Sequence, residues 1–258
     1  MLYWEGKRQV FYNKLADFFK EKLINEKDDS DVKKYIDKRK INKDLIDKFK
    51  IGYCSEDQNL PNHLSMMKGR LIFPIINEFG DVVAFSGRIP KDRKLLTSDE
   101  KHWFHESFPK SHFLYGLNVA WLDILKKNYA FVVEGQTDVT TMHRFGFHNT
   151  VGVLGSSLVD EGISKLTRFT NRIITIFDSD KAGRIAAART SDILKNYKHS
   201  YDYIDVNLKN KEINYDPDEY LNKFGSKKLI NRVRHYSQMS KQRREELTIK
   251  SLDEILRG

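Results

Sequence analysis

The chain has 258 residues, of which 40% are hydrophobic and 31% are charged, so it can form one large domain or two small ones and is neither collagen nor a disordered polyelectrolyte. It carries 45 Lys and Arg against 36 Asp and Glu, and this formal net charge of +9 favours a polyanionic partner such as nucleic acid. Apolar runs such as Ala130–Val133 are far shorter than the roughly 18 residues of a membrane span, and no signal-peptide core is present, so we expect a cytoplasmic protein without a membrane partner.

The first fifth of the chain is predicted to form a small helical unit. Apolar residues recur at helical spacing in three stretches, Tyr12 to Leu23, Val32 to Ile36 and Leu45 to Phe49. Asn42, just before the third stretch, is a suitable helix N-cap.

A β-hairpin is predicted next. The apolar segments 71–73 and 82–85 are separated by Asn77-Glu78-Phe79-Gly80-Asp81, a turn-forming sequence long enough to hold a bulge. Between Lys91 and Phe113 the periodicity fades, and we predict loops and a short strand.

From residue 130 onward, predicted strands alternate with predicted helices. The strands are Ala130–Val133, Thr150–Leu154, Ile173–Phe177 and Tyr203–Val206, and the helices are Thr137–Phe145, Val159–Phe169 and Ala182–Lys195. This alternation predicts an α/β fold with a parallel sheet flanked by helices, in which ligands bind beyond the carboxyl ends of the strands. After Asp216-Pro217 we predict a helical tail up to Gly258.

Acidic residues stand at the carboxyl ends of two predicted strands. Glu134 follows one strand, and Asp178 and Asp180 follow another. Residues two apart in an extended segment face the same way, so Asp178 and Asp180 can project together. Clustered carboxylates suit Mg²⁺ or Mn²⁺, and two such ions can activate a 3′ hydroxyl and neutralise a leaving pyrophosphate. An isolated Asp-x-Asp would more often be a turn or a helix cap.

Two segments together resemble the paired motifs of the Toprim domain. They are Val132-Val133-Glu134-Gly135-Gln136-Thr137-Asp138 and Ile176-Phe177-Asp178-Ser179-Asp180-Lys181-Ala182-Gly183-Arg184. Residues 152–157, between them, resemble the glycine-containing strand-end turn of the same family. Toprim domains occur in topoisomerases, small nucleases, recombination mediators and bacterial DnaG-type primases.

The flanking segments resemble DnaG-type primases, with the similarity running from about residue 10 to about residue 225. The basic strand pair 70–75 and 83–88 precedes the Toprim motifs, and segments 94–98, 104–105 and 114–117 continue the pattern in order. Segments 35–39 and 49–53 resemble the helical subdomain of the primase core, and segment 215–221 resembles the family's Asp-Pro-Asp segment.

This resemblance implies a role for each matching residue. Glu134 would be the catalytic acid/base and also a metal ligand, and Asp178 and Asp180 would be catalytic metal ligands. Asp138, Asp216 and Asp218 would complete the acidic cluster of ligands around two or more Mg²⁺ or Mn²⁺ ions. The implied nucleotide and template contacts are Arg39, Arg70, Arg88, Lys94, Lys110 and Arg184. Two positions depart from the family: Glu106 follows Phe104-His105 where a Lys is frequent, which leaves Lys110 as the nearest cation, and Thr97 replaces the usual Asn.

The single cysteine, Cys54, cannot supply the paired thiolates of a zinc ribbon. We therefore expect no zinc within this chain, and the resemblance implies that a zinc-ribbon module and a replicative helicase act as partners from outside it.

The predicted function is that of a DNA primase core, from a phage or a divergent bacterium, that copies single-stranded DNA into RNA primers from NTPs. The predicted division is a helical and basic β region at 1–125, a Toprim domain at 126–210 and a helical tail at 211–258. Two alternatives stay open. A Toprim nuclease would use the same carboxylates but has no use for the basic strand pair, and a non-catalytic Toprim binding protein has no need of intact carboxylates.

Overall fold

The structure is a computed structural model that describes residues 2–91, 95–98, 100–155, 158–196, 201–210 and 212–239. It divides into two compact units, residues 1–108 and 109–258, which are described separately below. The three-part division predicted at residues 125 and 210 stays a prediction. Over the described ranges, none of the helices combines the length and the apolar character that crossing a membrane requires.

Three helices open the first unit, as the periodicity predicted: α1 (Leu2–Ile24), α2 (Asp31–Lys38) and α3 (Lys43–Phe49). Asn42 caps α3 as predicted, since its side-chain oxygen accepts the backbone N–H of Leu45 at 3.1 Å. The buried side chains of α1, among them Phe19, pack against the sheet described next and form the core of this unit.

The sheet of the first unit is antiparallel, in the order β1 (Gly52–Cys54), β2 (Arg70–Ile76), β3 (Val82–Arg88) and β4 (Trp103–His105). Strands β2 and β3 are the predicted hairpin, and their register shifts between Ile75 and Ile76, next to the loop that the sequence indicated was long enough to hold a bulge. Strand β1 was not predicted from the sequence. Gly52 in β1 lets α1 lie close to the sheet, because a Cβ there would fall 2.5 Å from the Phe19 backbone.

The second unit contains a five-stranded sheet in the order β5-β7-β6-β8-β9. The strands are β5 (Leu114–Tyr115), β6 (Ala130–Val133), β7 (Thr150–Val153), β8 (Arg172–Thr175) and β9 (Asp202–Asp205). Neighbouring strands from β7 to β9 are parallel, and β5 joins the edge antiparallel to β7. The predicted mostly parallel sheet is therefore confirmed, with an antiparallel edge strand that the sequence had not predicted.

The strands are connected in chain order by α4 (Leu117–Lys127), α5 (Gln136–Arg144), α6 (Asp160–Leu166) and α7 (Lys181–Asn196), and α8 (Pro217–Gln238) follows β9. Apolar residues of the strands and helices form one buried cluster. No helix had been predicted at α4. Helix α8 breaks at Gly225, where φ is +74°, and ends at Gln238; the predicted continuation to Gly258 lies outside the described residues.

Candidate active site

The centre of the site lies where two adjacent parallel strands end. Strands β6 and β8 pair in register, with Val132 opposite Thr175, so Glu134 and Asp178 follow neighbouring strands at the same edge of the sheet. The backbone N–H of Asp178 donates to Glu134 Oε1 at 3.0 Å. The structure thus joins the two sequence motifs through a direct hydrogen bond.

Gly183, in the first turn of α7, makes this close approach possible. A Cβ at this position would lie 2.1 Å from the carbonyl oxygen of Asp178 and 2.7 Å from Glu134 Oε1. The turn that leads into α7 is closed by Asp180, whose Oδ1 accepts the backbone N–H of Gly183 at 2.9 Å. The Asp-x-Asp segment therefore also forms the turn that begins a helix, which is the structure that an isolated Asp-x-Asp sequence most often indicates.

The other three predicted carboxylates lie around this centre. Asp138 is buried in α5 and accepts the N–H of Gly135 at 3.1 Å. Asp216 caps α8 by accepting the N–H of Glu219 at 2.6 Å. Asp218 is also buried, and its Oδ1 accepts the hydroxyl of Thr141 at 2.6 Å and the side-chain amide of Asn222 at 2.9 Å.

Burial and mutual repulsion disfavour the charged forms of Asp178, Glu134 and Asp138. Burial first, and then the charges of Glu134, Asp216 and Asp180, raise the pKa of Asp178 to about 7. The pKa of Glu134 is also raised by burial, although the N–H of Asp178 opposes the shift. Burial raises the pKa of Asp138 well above its ordinary value. The acidic residues predicted from the two Toprim-like motifs and the Asp-Pro-Asp segment thus belong to one electrostatic cluster.

The cluster fits a divalent cation. Asp178 Oδ1 is buried and has no hydrogen-bond partner, and a buried carboxylate oxygen without a donor is costly unless a proton or a cation satisfies it. Among the described residues, no three or more His, Cys, Asp and Glu side chains form a ready-made metal cage. Mg²⁺ sites usually use one or two carboxylates with water and substrate phosphates, so an open arrangement suits this ion.

The two predicted basic residues of the second unit differ in their surroundings. The guanidinium of Arg184 donates to the carbonyl of Ser179 at 3.0 Å, so Arg184 braces the Asp-x-Asp turn. Lys110 lines a cavity of about 190 Å³ with Phe113, Leu158 and other largely apolar residues, and partial burial lowers the pKa of its ammonium group.

In the first unit, Arg70 and Arg88 are buried and Arg39 is partly buried. The guanidinium of Arg70 donates to the carbonyls of Met66 at 2.8 Å and Lys101 at 2.9 Å, which ties the hairpin to the segment before β4. Its predicted contact with nucleic acid stays a prediction.

Arg88 and Arg39 share an aromatic neighbour. The guanidinium of Arg88 lies 5.4 Å from the ring centroid of Tyr35 and 5.3 Å from that of Trp103, and that of Arg39 lies 5.6 Å from the Tyr35 ring. Lys94, the remaining predicted contact, lies outside the described residues.

The two departures from the family pattern both have local partners. Glu106 is buried, where its carboxylate accepts the hydroxyl of Tyr12 and the backbone N–H of Phe85, so it holds α1 on the sheet. Thr97 donates from its N–H to Glu100 at 2.9 Å. Glu106 therefore has a structural function at the position where the family frequently carries a cation.

Sequence reasoning missed two hydroxyl side chains of the site. Thr141 in α5 bonds to Asp218 in α8, and Ser179 lies between the two aspartates of the Asp-x-Asp segment. Neither has a sequence signature, because the function of each depends on a partner many residues away in the chain.

Two family models match the chain. The model of the DNA primase catalytic core, N-terminal domain, matches residues 56–121, and the model of the Toprim domain matches residues 128–205. The first match includes β2 to β4, and the second includes both motifs of the acidic cluster.

Known proteins agree with these matches. The chain is 28% identical to a DNA primase of Enterococcus faecalis, in an alignment that covers 87% of this chain and 40% of that protein. A solved structure of the DnaG catalytic core superposes with a TM-score of 0.74 at 26% identity, covering 88% of this chain and 79% of that one. A DnaG primase catalytic domain bound to single-stranded DNA superposes with a TM-score of 0.72 at 26% identity, covering 90% of this chain and 82% of that one.

The chain spans 37% to 40% of the length of the first curated relatives that it matches, all of which are DNA primases. The two matched domains follow each other in the order that the sequence resemblance implied, and the acidic cluster lies within the second. This chain therefore belongs to the DnaG-type primase family, of which it carries the catalytic-core N-terminal domain and the Toprim domain.

Proposed function

We propose that this chain is the catalytic core of a DNA primase, which joins NTPs into a short RNA primer on a single-stranded DNA template. The observation that carries the proposal is the Glu134–Asp178 pair, with its orphan carboxylate oxygen, at the carboxyl edge of the Toprim sheet. The match of residues 56–121 to the N-terminal domain of the primase core favours primer synthesis over the cleavage expected of a Toprim nuclease.

Glu134, Asp178 and Asp180 would hold the divalent ions, with Asp138, Asp216 and Asp218 around them. When bound, Mg²⁺ or Mn²⁺ would lower the pKa of the primer 3′ hydroxyl and neutralise charge on the triphosphate. The raised pKa values of Glu134 and Asp178 support this assignment, because a cation offsets the repulsion that causes part of both shifts.

Within the chain, Glu134 has the position and the surroundings of a proton acceptor. Its Oε1 is occupied by the Asp178 N–H, which fixes the carboxylate and leaves Oε2 to take a proton from the attacking hydroxyl. Burial, which is the largest cause of the raised pKa of Glu134, brings the carboxylate closer to the operating pH, where a general base works best.

Arg39, Arg88 and Lys94 are proposed to bind phosphates of the template or of the NTP, since guanidinium and ammonium groups form strong charge-assisted bonds with phosphate oxygens. The stacking of Arg88 against Tyr35 and Trp103 supports this proposal, because it orients the guanidinium before a ligand arrives. The related catalytic domain bound to single-stranded DNA supports the template class. A replicative helicase and a zinc-ribbon module are proposed as further partners, in the cytoplasm of a bacterium or of a phage-infected host.

A gel assay tests the proposal. The purified chain is incubated with labelled NTPs, Mg²⁺ or Mn²⁺, and either single-stranded templates or a template with a short annealed RNA. Growth of labelled RNA supports a primase, whereas shortened template with no RNA product would indicate the nuclease.

The same assay compares Asp178→Ala and Glu134→Ala with the wild type. Both variants are expected to lose synthesis while template affinity stays within a few-fold, because removing negative charge does not weaken binding to a polyanion. A folded variant that retains near wild-type synthesis would show that the ions bind elsewhere.

A further inference from the structure

Ser179 is enclosed between the two aspartates of the Asp-x-Asp segment. Ser179 is only 2% exposed, and the flanking residues Asp178, Asp180 and Lys181 are charged. The Asp-x-Asp motif specifies no residue type at this position.

Every polar group of Ser179 is engaged. Its hydroxyl donates to the carbonyl of Tyr215 at 3.1 Å and accepts the backbone N–H of Leu208 at 3.0 Å. Its own N–H also points to the Tyr215 carbonyl, at 3.4 Å, and its carbonyl accepts the guanidinium of Arg184 at 3.0 Å.

These bonds join three separate segments of the second unit. Ser179 belongs to the turn after β8, Leu208 follows β9, and Tyr215 immediately precedes Asp216, the N-cap of α8. A single hydroxyl, acting as donor and acceptor at once, therefore connects the turn that carries Asp178 and Asp180 to the segment that carries Asp216.

We propose that Ser179 is a positioning residue that sets the Asp178 and Asp180 carboxylates relative to Asp216, and thereby sets the affinity of the acidic cluster for divalent cations. The inference rests on the proposed function in one respect, which is that these carboxylates bind the ions. Ser179 itself contacts neither ion nor substrate in this proposal.

The hydrogen bonds of the hydroxyl explain why alanine cannot replace Ser179. Alanine leaves the Leu208 N–H without its acceptor and removes one of the two donors to the Tyr215 carbonyl. Unsatisfied buried groups are costly, so the segments would shift until water or other partners reach them. A shift of this kind separates carboxylates that have to act on the same ions.

The test measures Mn²⁺ binding to the full chain by the loss of the free-ion EPR signal, without NTP or DNA. Ser179→Ala is expected to raise the Kd for Mn²⁺ roughly tenfold or more, the range seen when groups that orient metal ligands are removed. Ser179→Thr, which keeps the hydroxyl, is expected to stay within about threefold of the wild type.

Thr190→Val is the matched control. Thr190 is a fully buried hydroxyl residue of the same unit that bonds to the carbonyl of Ala186 at 3.0 Å. It lies ten residues after Asp180 in the sequence, which is about 15 Å along a helix. Its removal is expected to lower thermal stability without changing the Kd for Mn²⁺.

The outcomes separate this inference from the proposed function. If Asp178→Ala binds Mn²⁺ as the wild type does, the metal site itself is wrong. If Asp178→Ala loses binding but a folded Ser179→Ala keeps the wild-type Kd, only the positioning function is overturned. If Ser179→Ala does not fold, Ser179→Cys replaces it; a weaker donor and acceptor should weaken Mn²⁺ binding, and an unchanged Kd would overturn the inference.

Discussion

Asp178 shows at the scale of one residue how the site stores unfavourable electrostatic energy. Its backbone N–H stabilises Glu134, while its own Oδ1 is buried without a partner and its carboxylate is surrounded by like charges. In the metal-free protein the pKa of Asp178 is therefore about 7, so Asp178 is mostly protonated below this pH. A divalent cation would replace that proton, so ion binding should be coupled to proton release.

The raised pKa of Asp178 also predicts how the stability of the metal-free protein depends on pH. The pKa of Asp178 in the folded chain lies above the value of about 3.9 expected for an unfolded chain. Between these two values Asp178 binds a proton in the folded protein that it has lost in the unfolded chain. The contribution of Asp178 to stability therefore falls as the pH rises from about 4 to about 7 and stays low above it.

Asp178→Asn removes this effect. Measured by calorimetry in EDTA at pH 8, the variant is expected to unfold at a temperature roughly 2–8 °C above that of the wild type, which corresponds to about 1–2 kcal/mol after allowance for partial exposure. The difference should vanish near pH 4. Asp192→Asn, at an exposed site paired with Lys195, is the control and should change little at either pH. A variant that is less stable than the wild type at pH 8 would contradict the electrostatic interpretation.

At the scale of secondary-structure elements, the start of α7 decides how close the two motifs come. The N-terminal turn of this helix is closed by Asp180 and packed against the Asp178 carbonyl and Glu134, with Gly183 at the contact. Because the nearest obstacle to a Cβ is backbone, a larger residue cannot be accommodated by rotating a side chain.

Gly183→Ala is expected to displace the first turn of α7 from the end of β6. We expect a loss of roughly 1–3 kcal/mol in the free energy of unfolding, as for other overpacked sites, and at least a tenfold loss of primer extension, because misplaced reacting groups are costly. Urea unfolding and a single-turnover extension assay would measure the two effects. Gly155→Ala is the matched control, since a Cβ there meets nothing within 4 Å. If the two variants behave alike, the close packing at Gly183 is not what holds the motifs together.

Elements whose signals are local were predictable from the sequence. The Asn42 cap, the hairpin and the strand-helix alternation of the second unit follow from residue type and spacing, and the structure confirms them. Helix α4 also carried local signals that were overlooked: Gly116 and Asn128 adopt left-handed conformations at its two ends, and Leu117, Ala120 and Ile124 are buried at helical spacing. Strand β5 has only two residues, too few for a periodic pattern.

The carboxylates of the candidate site were found through their motifs, whereas the groups that orient them were not. Ser179 and Thr141 act through hydrogen bonds to residues 29 to 77 positions away. The sequence is equally uninformative about the partners of the charged residues Arg70 and Glu106. Net charge and motif position do not reveal that Arg70 bonds to backbone carbonyls or that Glu106 holds α1 on the sheet.

At the scale of the whole molecule, the two units differ in the chemistry that they offer. The first carries the Arg39, Tyr35, Arg88 and Trp103 cluster of cations and aromatic rings, and the second carries the acidic cluster. Cations of this kind position a nucleic acid through its phosphates, but phosphate contacts carry no sequence information. The 258 residues also contain one cysteine, so they cannot form a cysteine-based zinc ribbon.

These properties predict a difference between starting a primer and extending one. The 258-residue chain should bind single-stranded DNA weakly, with strong salt dependence and little preference among template trinucleotides. Joining two NTPs should be inefficient, because both have to be held on a template that is itself weakly bound. Extension of a pre-annealed RNA should be much less impaired, since the duplex supplies the 3′ hydroxyl and the proposed ion-binding carboxylates are all present. The difference is measured by assaying both reactions on templates that differ in one trinucleotide. Each assay is run with and without a separate zinc-ribbon protein from the same source. Efficient and sequence-specific initiation by this chain alone would contradict the prediction and would place template reading within these residues, first of all around Arg39 and Tyr35.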